Sequence, residues 1–377
     1  MNHKLISSSS IKSLIKTIDD TIKNSFTPTL AFIYLSVKYD LEFLTKKLKK
    51  YPFVIVGATT VGEIYADEIY GVHVKDKSIA CMLVDFDKST FSLKIKETKK
   101  NNDYELGLEM AQWSKKQFLH PALFTLTSGL AFDNESYIEG LQTEVKHLFG
   151  ASAGDDRLFK DTYIFSNKKL IRSGALVLAF DQDKIDIINS RGFGWSGIGT
   201  QRVVTKSIKN IVYTIDDKPA IDFYKEYLNI TLQDMPNMGV DYPLEVLLSN
   251  NQIIYRAAIY INEKDGSLLF AGHVKEGSKV RISAPIGELV IDEIEKSINT
   301  VLKEKNQYTP ELTLIFPCAA HKAFLGKQGI KEIEAAYIAS KSTPLIGFYA
   351  YGEISSTDGT NAFHNETFVT VQLREKS

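Results

Sequence analysis

The sequence has little of what staples, anchors or strongly charges a protein. Two cysteines, Cys81 and Cys318, stand 237 positions apart in 377 residues. That spacing excludes a disulfide framework and paired-cysteine zinc ligation, and it fits a reducing compartment. The longest apolar runs, Phe53 to Ala58 and Gly174 to Phe180, are strand-sized, well short of the ~20 residues of a membrane span. The first 25 residues carry Lys4, Lys12, Lys16 and Lys23 and no apolar stretch, so no signal peptide and no membrane insertion are expected, and the expected location is cytoplasmic. Neither charge dominates: 45 basic side chains face 46 acidic ones. This argues against nucleic-acid binding through bulk electrostatics. The lysine-rich stretches 46–50 and 94–100 read as solvated faces.

Several catalytic signatures are missing as well. The glycine loops lack the Lys-Ser/Thr of a P-loop, no Gly-x-Ser-x-Gly elbow occurs, and the seven scattered histidines form no His-Glu-x-x-His pattern. Gly192-Phe193-Gly194-Trp195-Ser196-Gly197 spells a dinucleotide fingerprint but opens no helix, so it reads as a loop.

What is present is repetition. Three segments begin with Pro-x-Leu and an apolar run, continue through a loop and an amphipathic helix to a second apolar run, and end in a loop of glycine and acid. They run from Pro28 to Ile64, Pro121 to Asp156 and Pro310 to Ile354. The closing loops are Gly57-Ala58-Thr59-Thr60-Val61-Gly62-Glu63, Gly150-Ala151-Ser152-Ala153-Gly154-Asp155-Asp156 and Gly347-Phe348-Tyr349-Ala350-Tyr351-Gly352-Glu353. From proline to first glycine the separation is 29, 29 and 37 positions, so the third unit carries an insertion. Such units imply parallel strand pairs with right-handed crossovers. After the loops the period changes to two, and residues 79–84 with 91–95, and 170–180 with 184–189, read as hairpins. Strands over 244–248, 253–261, 268–274 and 279–283, with turns at Asn250-Asn251, Lys264-Asp265-Gly266 and Glu276-Gly277, read as a meander. The expected fold class is α/β (mixed α+β). Repeated strand–loop–helix–strand units form mixed parallel and antiparallel sheets in two pseudo-symmetric lobes, with a β-meander insert in the second. The expected division is a helical extension over 1–24, one domain over 25–215 and another over 216–377.

Glycine turns directly after buried strands let backbone N–H groups face a ligand, at the strand ends where open α/β sheets bind. Gly57, Thr59, Thr60, Gly62, Gly150, Gly154, Tyr351 and Gly352 are therefore candidate ligand contacts. The acids Glu63, Asp155, Asp156 and Glu353 either line such a site or cap turns and pair with lysines. Arg256, in the apolar strand Ile253 to Ile261, is costly to bury unless it meets an acid or an anionic ligand. Cys318 and His321, three apart after a strand, allow a soft-ligand pair, a nucleophile with its base, or a buried structural cysteine.

These segments, taken in order over roughly residues 25–375, resemble the FIST family. The first and third loops, the second loop with Phe159, Lys218-Pro219-Ala220, Tyr255-Arg256, Asp265-Gly266-Ser267, Phe316-Pro317-Cys318 and Phe363-His364-Asn365-Glu366-Thr367 carry the resemblance. It implies an N-terminal and a C-terminal FIST domain forming an input module of signal transduction, without catalysis, that binds a small molecule such as an amino acid. It also implies output through a separate partner such as a histidine kinase or a diguanylate cyclase, since no output module follows in the sequence. Some relatives resemble haem proteins that sense nitric oxide, for which His273, His321 and His364 are the axial candidates here; no cofactor is otherwise expected. FIST proteins often carry arginine where this chain has His321, which implies a shifted ligand preference.

Overall fold

Each sequence repeat becomes one six-stranded sheet, and each sheet borrows two strands from another repeat. The computed structural model describes residues 1–98, 102–228, 237–248, 252–287, 289–305, 308–357 and 360–376. The first repeat comprises β1 (His3–Ser8), α1 (Ile11–Lys23), β2 (Leu30–Leu35), α2 (Leu41–Leu48), β3 (Val54–Thr59), β4 (Glu63–Asp67), β5 (Gly71–Lys75) and β6 (Ile79–Val84). The second comprises β7 (Phe91–Glu97), α3 (Asp103–Gln117), β8 (Pro121–Thr127), α4 (Asn134–Leu141), β9 (Leu148–Ser152), β10 (Ile164–Ser166), β11 (Leu170–Ile171) and β12 (Gly174–Asp181). The third opens with β13 (Ile185–Phe193) and is then interrupted by β14 (Trp195–Ile208), β15 (Ile211–Ile215), β16 (Lys218–Pro219), α5 (Ala220–Tyr227), α6 (Asn237–Asp241), β17 (Leu244–Leu247), β18 (Ile253–Arg256), β19 (Ala258–Ile261), β20 (Leu268–Phe270) and β21 (Lys279–Pro285). It resumes as α7 (Leu289–Glu304), β22 (Leu312–Pro317), α8 (Ala319–Leu325), α9 (Gly329–Ala339), β23 (Leu345–Phe348), β24 (Gly352–Thr357), β25 (Thr360–His364) and β26 (Thr367–Glu375). The short α8 accounts for the longer third unit.

The sheets run β1-β6-β2-β3-β10-β11, β7-β12-β8-β9-β24-β25 and β13-β26-β22-β23-β4-β5. In each, two strands of one repeat pair in parallel and the rest antiparallel. The outer pair comes as a hairpin from another repeat: β4–β5 join the third repeat's sheet, β24–β25 the second's, and β10–β11 the first's. This cyclic exchange makes the body pseudo-threefold. The inner faces share one core containing Phe32, Phe124, Phe316 and Phe348. The outer faces are covered by α1 with α2, α3 with α4, and α7 with α9. Both faces of β2 are therefore buried, which explains its unbroken apolar run Leu30 to Leu35. Caps fix the helix starts: Ser10, Asp40 and Asp133 accept from Ser13, Phe43 and Ser136 N–H.

Four expectations change. Residues 1–24 are not only helical, because β1 pairs with β6 and buries Leu5 and Ile6. The hairpins expected across 79–95 and 170–189 do not form. Both edges of β6 are taken by β1 and β2, and both edges of β12 by β7 and β8, so each following strand passes to another sheet. The glycine run from Gly192 is strand rather than loop. A Cβ on Gly192 would meet Ile294 Cα at 3.2 Å and one on Gly194 would meet Val290 at 3.0 Å, so these glycines let α7 pack close. The expected meander is part of an eight-stranded sheet ordered β18-β17-β21-β14-β15-β20-β19, with β16 on β15. Strands on both sides of residue 216 hydrogen-bond within it. Gly266 and Gly277 turn in the left-handed region as turn chemistry demands; the Asn250-Asn251 turn lies outside the described residues.

Candidate functional site

The first glycine of each loop is a packing requirement. Gly57, Gly150 and Gly347 lie on the second strand of a parallel pair, where a Cβ would stand 2.5, 1.9 and 1.9 Å from the carbonyls of Ile33, Thr125 and Ile315. The loops that follow cross one another at the places where the hairpins change sheet. Gly154 and Asp156 N–H donate to Thr59 and Thr60 carbonyls, Val61 N–H to Tyr349, Tyr349 N–H to Gly62, and Tyr351 N–H to Ser152. The structure thus brings the three loops together, as a backbone-bonded crossing.

The acids of the crossing take their donors from within it. Glu63, fully buried, accepts from Thr60 Oγ1 at 2.5 Å and from Ser78 N–H and Oγ at 2.8 and 2.6 Å. Glu353 occupies the equivalent place, accepting from Thr367 Oγ1 at 2.7 Å and its N–H at 3.3 Å. Asp155 accepts three N–H groups, of Phe159, Lys160 and Asp161, at 2.7–3.0 Å, and the Tyr351 hydroxyl. Asp156 accepts from Ser36 Oγ at 2.5 Å.

Burial raises Glu63 from 4.5 to about 7 against the pull of its hydroxyl donors. An acid raised in the folded state stabilises fully below its unfolded pKa, and that contribution is lost as pH rises to the folded value. Wild-type protein is therefore expected to lose about 3 kcal/mol relative to Glu63→Gln between pH 4.5 and pH 8. Paired denaturant titrations across that range check the difference; parallel pH profiles would contradict it.

A cavity of about 710 Å³ opens beside the crossing. Its walls come from the segments after β8 and β9 (Gly129, Leu130, Phe132 to Glu135, Arg157, Phe159), from the inserted sheet (Ala257, Ile259, Tyr260, Leu269 to His273) and from the third repeat (Cys318 to Ala320, Ala350, Tyr351, Phe363, Asn365, Glu366). Of the expected ligand contacts, Cys318 and Tyr351 line it, with His273 from the haem candidates. Gly57, Thr59, Thr60, Gly62, Glu63, Gly150, Gly154, Asp155, Asp156, Arg256, His321, Gly352 and Glu353 do not. Asp155 still shapes the mouth. It holds a segment with left-handed Asp156, Arg157 and Phe159, and it orients Tyr351, whose ring stacks on Phe159 at 5.1 Å.

Arg256 lies behind the wall. Its guanidinium bonds Glu135 and the carbonyls of Tyr255, His273 and Phe363. His273 sits between Asp133 at 3.2 Å and Glu135 at 3.3 Å. Burial opposes its charge, yet the Asp133 hydrogen bond and the two carboxylates hold it above its ordinary value. Both of its ring nitrogens are thus engaged by carboxylates. His321 bonds Glu332 at 2.9 Å under the Trp195 ring, and His364 bonds Arg191; neither lines the cavity. None of the three presents a free ring nitrogen to the cavity. Nor does His321 touch the Cys318 thiol, which lies instead beside Glu353 and Glu366; burial and these carboxyls push the thiol well up.

Sequence reasoning missed Asn134, Glu135, Arg157, Tyr260, Asn365 and Glu366. The last two carried a signal, a polar pair closing a run between apolar strands.

The cavity lies between parts of the chain that match different family models. Residues 29–218 match the FIST N domain and residues 220–356 the FIST C domain. The chain belongs to the FIST family, whose domains are sensory domains of signal transduction. No curated protein matches the chain. Among the described residues no helix is long and apolar enough to cross a membrane.

Proposed function

We propose that this chain senses a small polar metabolite, an amino acid or a compound of that size, bound in the 710 Å³ cavity, and passes the signal to a separate protein such as a histidine kinase or diguanylate cyclase. The observation that carries this reading is the cavity's placement and lining. It is concave, walled by aromatic rings with a few polar groups, and held between the FIST N and FIST C parts, so a ligand there touches both. Arg157 at its mouth lies near Asp241 without a direct ion pair among the described residues, which leaves its guanidinium N–H groups for a ligand carboxylate. Binding rather than turnover suits the floor, where the Cys318 thiol is held protonated by its surroundings.

A thermal-shift screen of amino acids and related metabolites tests this. A ligand at one hundred times its Kd is expected to stabilise by about 2.7 kcal/mol, and Leu130→Trp, which fills the mouth from a partly exposed position, is expected to abolish the shift. A screen without any hit, or a hit indifferent to Leu130→Trp, overturns the reading.

A further inference from the structure

The floor of the cavity is built from acceptors that lack donors. The connection from β25 to β26 places Asn365 and Glu366 on it, 2% and 1% exposed. Asn365 Oδ1 and Glu366 Oε2 have no hydrogen-bond partner among the described residues, and the same holds for Glu353 Oε1 beside them. A buried acceptor left without a donor destabilises the fold. Glu366 is moreover in the left-handed region at φ 59°, where a residue with a Cβ is strained. Strain and missing donors coincide on one side chain at a cavity wall.

We infer that the buried end of the ligand is a nitrogen cation, an ammonium or guanidinium, received by Glu366 and Asn365. This rests on the cavity being the ligand site. Such a group supplies several N–H donors and a positive charge, and both are missing from the floor. The ionisable groups facing Glu366 are Glu353 of β24, Asp241 at the end of α6, Cys318 between β22 and α8, and Tyr224 of α5. None of them is cationic. Arg256 and Arg191 lie at His364, two residues earlier in the chain, and are engaged with Glu135 and His364, and Arg157 stands at the mouth. Burial first, then the charges of Glu353 and Asp241, push the Glu366 carboxyl well above the usual carboxylate range, which favours its neutral form. On binding, the N–H of the cation donates to the Glu366 carboxylate, and the carboxyl proton leaves to solvent. Affinity for the cation therefore rises with pH while Glu366 is protonated in the free protein.

The test uses the full chain with putrescine, agmatine and lysine as probes, against glutarate and glutaramide. Expected are thermal shifts from the cationic probes alone, a Kd that falls as pH rises, by up to tenfold per pH unit for the one proton released, and that release seen as a buffer-dependent heat of binding. Glu366→Gln is expected to weaken the cation at least tenfold, and Glu366→Asp to restore part of it. Binding of glutarate or glutaramide with the cations silent overturns the inference and leaves the cavity reading standing. So does a cation whose Kd ignores both pH and Glu366→Gln; the wild-type pH series decides even if the variants fold poorly. Silence from all five probes also overturns it, and the metabolite screen with Leu130→Trp then decides the cavity reading separately.

Discussion

Replacing Arg256 with alanine is expected to destabilise the protein by about 3 kcal/mol, because a buried ion pair broken from one side leaves its partner uncompensated. The side chain is 1% exposed and ties β18 to α4 through Glu135, and to the chain at Phe363 and His273 through backbone carbonyls. Its removal strands Glu135 beside His273 and frees three carbonyls at the back of the cavity wall, joining the effect on stability to the site. The FIST C part would loosen against the second repeat, so ligand binding should weaken with stability. Urea unfolding measures the loss. Lys296→Ala, which removes an exposed pair with Glu293, serves as the comparison and is expected to leave the midpoint nearly unchanged. Equal midpoints for the two variants would show that Arg256 is not a structural tie.

Gly347→Ala carries the second large effect. The new Cβ would stand 1.9 Å from the Ile315 carbonyl, in the middle of the parallel pair β22–β23, and backbone cannot give way as a flexible side chain would. Folded protein is expected to be lost, or destabilised by more than about 3 kcal/mol, as for the most disruptive overpacked sites. Gly150→Ala meets the Thr125 carbonyl at the same 1.9 Å and should behave alike, since the pseudo-symmetry puts both at one structural place. Gly277→Ala provides the contrast. Nothing stands within 4 Å of its Cβ, and only the cost of its positive φ, about 1 kcal/mol, applies. Soluble yield and melting temperature of the three variants separate the cases; a Gly347→Ala protein as stable as Gly277→Ala would refute the crossing geometry.

The glycines at 57, 150 and 347 were visible in the sequence because a carbonyl 1.9–2.5 Å from any Cβ leaves no other residue. The buried runs Leu30 to Leu35 and Leu312 to Pro317 were visible because both their faces are covered. Which sheet a hairpin joins was not. The pairing of β4 with β23 spans some 280 residues, and nothing in the local pattern of either strand names the other. The same limit hid the expected hairpins' true partners, since the short polar loop between residues 84 and 91 looks alike whether the chain folds back or crosses over. Acid residues in the loops invited a ligand reading because burial and partners do not show in a sequence. Glu63 and Asp155 turned out to hold the crossing. Cavity residues come from separate stretches scattered between residues 129 and 366, and among them only Ala350 and Tyr351 belong to a repeated loop.

Hydrogen exchange with and without the best ligand from the screen tests the central claim, that the cavity between the FIST N and FIST C parts is the sensory site. The account predicts protection on both walls together, at residues 129–135 and 257–273, with the segment 157–161 slowed at the mouth. Protection confined to the crossing loop 57–64, or to one wall alone, would contradict it.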